Sequence, residues 1–138
     1  MSGSKPTPVV DVDSAFYWDG LREHRLVLQQ CRACERFRFP PMVSCPYCGS
    51  RDLDERAVTG RGTVYSWVGV HRALDPAFAD DVPYTVAAVD LDEGARVIVR
   101  IDTPTDADAT TFGARVRASY VDHADWTELR FVVEEPAS

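Results

Sequence analysis

No run of eighteen apolar residues occurs anywhere in the 138-residue sequence, so no segment reads as a membrane span. The opening Met1-Ser2-Gly3-Ser4-Lys5-Pro6 lacks the apolar core of a secretory signal, and the cytoplasm is the expected compartment. A serine nucleophile elbow, a P-loop and a dinucleotide fingerprint are all missing. Histidine is sparse: His24, His71 and His123 stand in no metal or nucleophile motif. Repeats and low-complexity tracts are absent. Positive charge is also short, with a formal net charge of −7. Its distribution is uneven: residues 1–19 carry −2, residues 20–62 carry +3 and residues 63–138 carry −8. Affinity for phosphate backbones comes from basic side chains that release counterions, so the acidic C-terminal part disfavours nucleic acid.

Cysteine is confined to four residues, and these organise the chain. Cys31-Arg32-Ala33-Cys34 and Cys45-Pro46-Tyr47-Cys48 form two C-x-x-C pairs with ten residues between them. Each pair sets two sulfurs on one tight turn, where backbone N–H groups can also face thiolates. Two facing turns make a tetrahedral four-thiolate cage, the structural zinc arrangement, with Zn–S near ~2.3 Å. Gly49 suits the positive φ needed to leave the second turn. Two disulfides are the other use of four cysteines, but they belong to an oxidising compartment. The same four thiolates also hold a single iron in rubredoxin-type sites, so ligand identity leaves zinc and iron both open. A closed four-cysteine site cannot activate water, and it leaves no thiol as a nucleophile. Catalysis by this chain alone is therefore disfavoured.

Around the cysteines the pattern is mainly β. Residues 1–13 are expected to be mobile. Asp13 or Ser14 can cap a short helix running to about His24, crowded with Phe16, Tyr17 and Trp18. So short a helix must dock, on its own domain or on a partner. Residues 26–30 read as a strand into the first turn, and the alternating Arg36-Phe37-Arg38-Phe39 as the returning strand. Residues 50–57 read as a linker. Strands are then expected over 58–70, with bends or bulges at Gly60, Gly62 and Gly69, and over 84–91, 96–102, 113–122 and 126–134. Val97, Ile98, Val99 and Ile101 are expected to be mostly buried. The loop over 71–82, with Leu74, Phe78 and Val82, can cover a barrel end or rim a channel. The expected organisation is a flexible 1–13, a helix plus zinc ribbon over 14–56 and a five-stranded OB-fold barrel over 57–135. Five strands are few for a β-sandwich. A ribbon of about 40 residues buries too little to fold alone, so metal supplies much of its folding free energy. An OB barrel with a ribbon also suggests a single-stranded nucleic-acid module. Its barrel aromatics would then be stacking platforms.

The stretches Phe16-Tyr17-Trp18-Asp19-Gly20-Leu21, Leu26 to Cys34, Arg38-Phe39-Pro40-Pro41 and Cys45-Pro46-Tyr47-Cys48-Gly49-Ser50 resemble the rubredoxin-like zinc ribbon of the "domain of unknown function thirty-five" family. Gly62 to Trp67, Pro83 to Ala87 and Gly113 to Val116 resemble its barrel. The resemblance covers about residues 12 to 134. It implies an N-terminal helix, a ribbon holding structural zinc through Cys31, Cys34, Cys45 and Cys48, and an OB-fold. It further implies an accessory subunit of thiolase-fold enzymes: thiolases, hydroxymethylglutaryl-CoA synthases or lipid-transfer-protein-like aldolases of steroid side chains. In such a complex the partner carries the catalytic groups. The accessory chain stabilises it and helps shape or channel acyl-CoA, with the helix of Phe16, Tyr17 and Trp18 as a docking element. No catalytic residue is implied in this chain.

Overall fold

The computed structural model describes residues 8, 11–72, 76–78, 80, 83–102 and 113–135. Leu74 and Val82, the side chain of Phe78, most of residues 1–13 and all of residues 103–111 lie outside the described residues.

Helix α1 spans Ala15–Arg22. Ser14 is its N-cap, and the Ser14 carbonyl accepts from Tyr17 N–H at 3.0 Å. The Ser14 hydroxyl does not cap the helix. It turns back to accept the Asp11 N–H at 3.3 Å, while Asp11 Oδ1 accepts the Ser14 N–H at 2.8 Å. Strands β1 (Val27–Cys31), β2 (Phe37–Arg38) and β3 (Leu53–Ala57) form an antiparallel sheet in the order β2-β1-β3. The segment read as a linker over 50–57 is thus corrected. Its second half, β3, pairs with all of β1, from Val27 opposite Ala57 to Cys31 opposite Leu53. The expected division between 56 and 57 falls inside this strand. Asp54, Glu55 and Arg56 give β3 no apolar alternation, which is why it did not read as a strand; such charges suit a solvated sheet edge.

The rest is a closed barrel of β4 (Arg61–Val70), β5 (Tyr84–Leu91), β6 (Arg96–Asp102), β7 (Arg115–Asp122) and β8 (Thr127–Glu135), in the order β4-β5-β6-β8-β7. Closure comes from β4 pairing β7, and β6 pairs β8 in parallel. This is the five-stranded Greek-key order of an OB-fold. The register break in β4 lies between Val64 and Ser66, so Tyr65 is the bulged residue rather than one of the glycines. Tyr65 turns outward, where the Arg96 guanidinium lies 3.7 Å from its ring centroid. Gly62 has another role: a Cβ there would sit 2.5 Å from the Asp90 carbonyl oxygen. Ile98 departs from the expected burial. It is 73% exposed, because β6 alternates and its inward positions are Val97, Val99 and Ile101.

One hydrophobic core runs through both parts. Tyr17 and Leu21 of the helix and Leu26 and Leu28 beside or in β1 join Val64, Val89, Val97, Val116 and Phe131 of the barrel. The ribbon therefore shares the barrel's core instead of relying on its own. The helix aromatics are drawn into this assembly: Tyr17 is buried, 5.4 Å from Phe39, and Trp18 meets Trp126 edge to face at 6.1 Å. Among the described residues no helix is long and apolar enough to cross a membrane.

Candidate metal centre

The two cysteine turns are built alike. In the first, Glu35 N–H donates to the Cys31 carbonyl at 2.9 Å, and Cys31 N–H to the Arg36 carbonyl at 3.0 Å. In the second, Gly49 N–H donates to the Cys45 carbonyl at 2.9 Å, and Cys45 N–H to the Ser50 carbonyl at 2.8 Å. The residue following each C-x-x-C has positive φ, Glu35 at 65° and Gly49 at 81°. Glycine meets that demand in one turn; the other imposes it on a glutamate, at a cost of about 1 kcal/mol. Each turn also points an N–H at its first sulfur, Cys34 N to Cys31 Sγ at 3.5 Å and Tyr47 N to Cys45 Sγ at 3.4 Å.

The turns face each other and bring all four sulfurs together. Cys31 Sγ lies 3.6 Å from Cys48 Sγ, and Cys34 Sγ lies 3.6 Å from Cys45 Sγ. All four ligand atoms fall within 4.8 Å of one another. A tetrahedron with ~2.3 Å metal–sulfur bonds has sulfurs ~3.8 Å apart, so the cage fits a four-coordinate ion. The S–S separations are far from a disulfide's ~2.05 Å, and no disulfide is formed. Among the described residues this is the one cluster of metal-ligating side chains.

The thiols titrate unequally. Burial pushes the Cys45 thiol up, but the Tyr47 and Cys48 N–H groups outweigh it and bring it to about 6. At Cys48 the Ser50 N–H pulls down, but the neighbouring sulfurs of Cys31, Cys45 and Cys34, with burial, carry it to about 11. The Cys31 thiol is lowered, chiefly by the Cys34 N–H. Four sulfurs this close cannot all be negative unless a cation lies between them, and a divalent ion would remove their protons.

The histidines stand elsewhere. His24 bonds Asp122, and His123 bonds Glu128 at 2.9 Å while stacking on Trp126. The alternation in β2 also misleads. Arg38, not its phenylalanine neighbours, is the buried member, 2% exposed, and its Nε donates to Gln29 Oε1 at 2.7 Å. The signal was its partner: Gln29 sits directly opposite Arg38 in the β1–β2 register, a polar residue within an otherwise buried strand.

A ribbon with a four-cysteine cage, joined through one core to a closed OB barrel, defines the class. Residues 18–54 match the family model described as ChsH2, rubredoxin-like zinc ribbon domain, and residues 55–121 that of ChsH2, C-terminal OB-fold domain. The chain is 41% identical over 97 residues to the probable enoyl-CoA hydratase alpha subunit of Thermomonospora curvata, covering 70% of this chain and 30% of that protein. It is 33% identical over 96 residues to a DUF35 domain-containing scaffold protein of Methanothermobacter thermautotrophicus, covering 69% of this chain and 71% of that protein. It also superposes on a chain of the solved Ltp2-ChsH2(DUF35) aldolase with a TM-score of 0.81 at 34% identity, across 92% of this chain and 98% of that one. The chain belongs to the DUF35 family. It spans only 30% and 36% of the length of the two hydratase alpha subunits that it matches.

Proposed function

We propose that this chain is a non-catalytic accessory subunit of a thiolase-fold enzyme of acyl-CoA metabolism, stabilising that enzyme and helping to shape or channel its acyl-CoA. The observation that carries the reading is the superposition, across 92% of this chain, on a chain of the Ltp2-ChsH2(DUF35) aldolase. Cys31, Cys34, Cys45 and Cys48 hold a structural Zn²⁺, for which the spacing of their sulfurs is suited. The zinc would lock the two turns and supply folding free energy to the ribbon. Four thiolates leave it no open position for water or substrate, in keeping with a partner that carries the chemistry.

The helix contributes to docking in a reduced way. Tyr17 is spent inside the core, which leaves Phe16 and Trp18, both partly exposed, as its contact residues for the partner. The test is co-expression of this chain with a thiolase-fold enzyme encoded in the same genome, followed by purification on a tag carried by this chain alone. A stoichiometric complex with acyl-CoA activity that neither chain has alone supports the proposal. A chain that elutes by itself, or with nucleic acid, defeats it.

A further inference from the structure

A cleft separates the ribbon from the barrel where β2 and the second cysteine turn face the β5–β6 turn. It has two adjoining lobes of about 310 and 260 Å³ that share Phe37, Tyr47 and Gly94. Arg38 lines the larger lobe and Arg36 the smaller.

Arg38 is a buried cation whose partners are all neutral. Its Nε bonds the Gln29 amide oxygen, its Nη2 donates to the Met42 carbonyl at 3.1 Å, and its Nη1 is buried with no partner. A guanidinium buried without an anion is costly, and an orphaned N–H adds to that cost. Two residues earlier, just before β2, Arg36 lies 4.6 Å over the Tyr47 ring. Neither arginine has a carboxylate partner among the described residues. The acids of the cleft do not neutralise them. Asp90 is taken by Arg96 at 2.6 Å. Glu93 accepts the Thr59 N–H on Oε2 at 2.9 Å, while its Oε1 is buried and unpartnered. The cleft thus carries two guanidinium groups without a carboxylate partner, an orphaned donor on the larger lobe and an orphaned acceptor on the smaller. A carboxylate ligand answers only the donors. A hydrogen-phosphate group answers both kinds: its charged oxygens accept from arginine and its P–OH donates to a carboxylate.

We propose that this cleft binds a phosphate group, with Arg38 on its floor and Arg36 at its mouth. The site is distinct from the cysteine cage and does not depend on the partner assigned above.

The test is titration of the zinc-loaded full chain with inorganic phosphate, pyrophosphate and acetate in chloride buffer, followed by ³¹P line broadening and amide NMR shifts. The expected result is saturable binding of phosphate, tighter for pyrophosphate, with shifts at Phe37, Tyr47 and Gly94. Arg36→Gln, at an exposed position, should stay folded and weaken phosphate by at least about fivefold through one lost charge-assisted bond. Arg38→Gln should abolish binding, and Arg36→Gln carries the test if that variant fails to fold. The proposal is overturned by no saturable phosphate binding, by acetate binding as tightly as phosphate, by shifts elsewhere on the chain, or by an unchanged affinity in Arg36→Gln.

Discussion

His24, two residues past the end of the helix, holds Asp122 at the tip of the β7–β8 hairpin across 98 residues of chain. Its Nε2 lies 3.0 Å from both carboxylate oxygens, and its ring stacks on Tyr120 with centroids 4.9 Å apart. Thr127 donates to the same carboxylate at 2.7 Å. The Thr127 bond, then His24, holds the Asp122 carboxyl below its usual range. This contact and the Trp18–Trp126 pair clasp the helix onto the barrel.

A pH dependence follows. Asp122 is lowered, as are Asp54 through the Arg32 bond and Asp92 through the Arg115 bond. Burial would raise Glu128, but the Arg130 and His123 bonds outweigh it and lower it. For a carboxylate whose folded pKa is depressed, stability is fully present above the unfolded value, ~4, and is lost as pH falls through the folded value. Acid should weaken zinc binding first, as the thiols regain protons, and the carboxylates should add a further falling limb below about pH 4. Asp122→Asn should lower Tm at neutral pH, and the difference from wild type should shrink as pH falls through the lowered pKa of Asp122 and vanish below it. A difference that grows on acidification would contradict the assignment.

Replacement of one cage cysteine should cost more than any surface change. Cys45→Ser is expected to lose bound zinc, measured by elemental analysis, and to lose soluble protein, because metal binding supplies on the order of 10 kcal/mol to such ribbons. The shared core softens this outcome in one respect: barrel signals in NMR should persist longer than ribbon signals. A Cys45→Ser protein that is fully folded without zinc would refute a structural metal.

The two turns differ at one position, and the difference is measurable. Glu35→Gly places glycine where the chain already has a φ of 65°, matching Gly49 in the other turn. Relief of the left-handed strain is about 1 kcal/mol, offset in part by unfolded-chain entropy. The variant should melt at or slightly above the wild-type temperature with zinc bound. The reverse change, Gly49→Val, should destabilise by about 1 kcal/mol or more and weaken zinc retention. A destabilised Glu35→Gly would contradict the matched-turn geometry.

Gly62→Ala tests the barrel. The added methyl would press on the Asp90 carbonyl and on Val89, so β4 and β5 must separate where they pair. A loss of about 1–3 kcal/mol is expected in denaturant titration. An unchanged midpoint would mean that β5 yields there without cost.

The metal cage and the barrel were legible in the sequence because each rests on local pattern. Paired C-x-x-C turns announce themselves, and β5 and β6 are short apolar-rich runs between turn signals. Three features were not legible. Strand β3 is charged along its length and exists because β1 needs a partner, a tertiary demand with no local trace. The bulge at Tyr65 occupies a residue that resembles any other strand position, while nearby glycines drew the expectation. Arg38 breaks the rule that the aromatic members of an alternating strand go inside, because the sheet's buried side there holds Gln29. The helix aromatics left docking on the chain's own domain and docking on a partner both open, because residue types do not tell an internal seam from an external one. Here Tyr17 and Trp18 bridge the ribbon and the β7–β8 hairpin within the chain.

The most direct measurement is light scattering on the tagged chain co-purified with a co-expressed thiolase-fold enzyme, with protein masses and metal content determined on the same peak. The expected result is one species containing both chains in fixed ratio, about one zinc per copy of this chain, and acyl-CoA turnover that is absent when the chain is omitted. A free 15.4 kDa monomer beside a fully active enzyme would contradict the accessory-subunit reading.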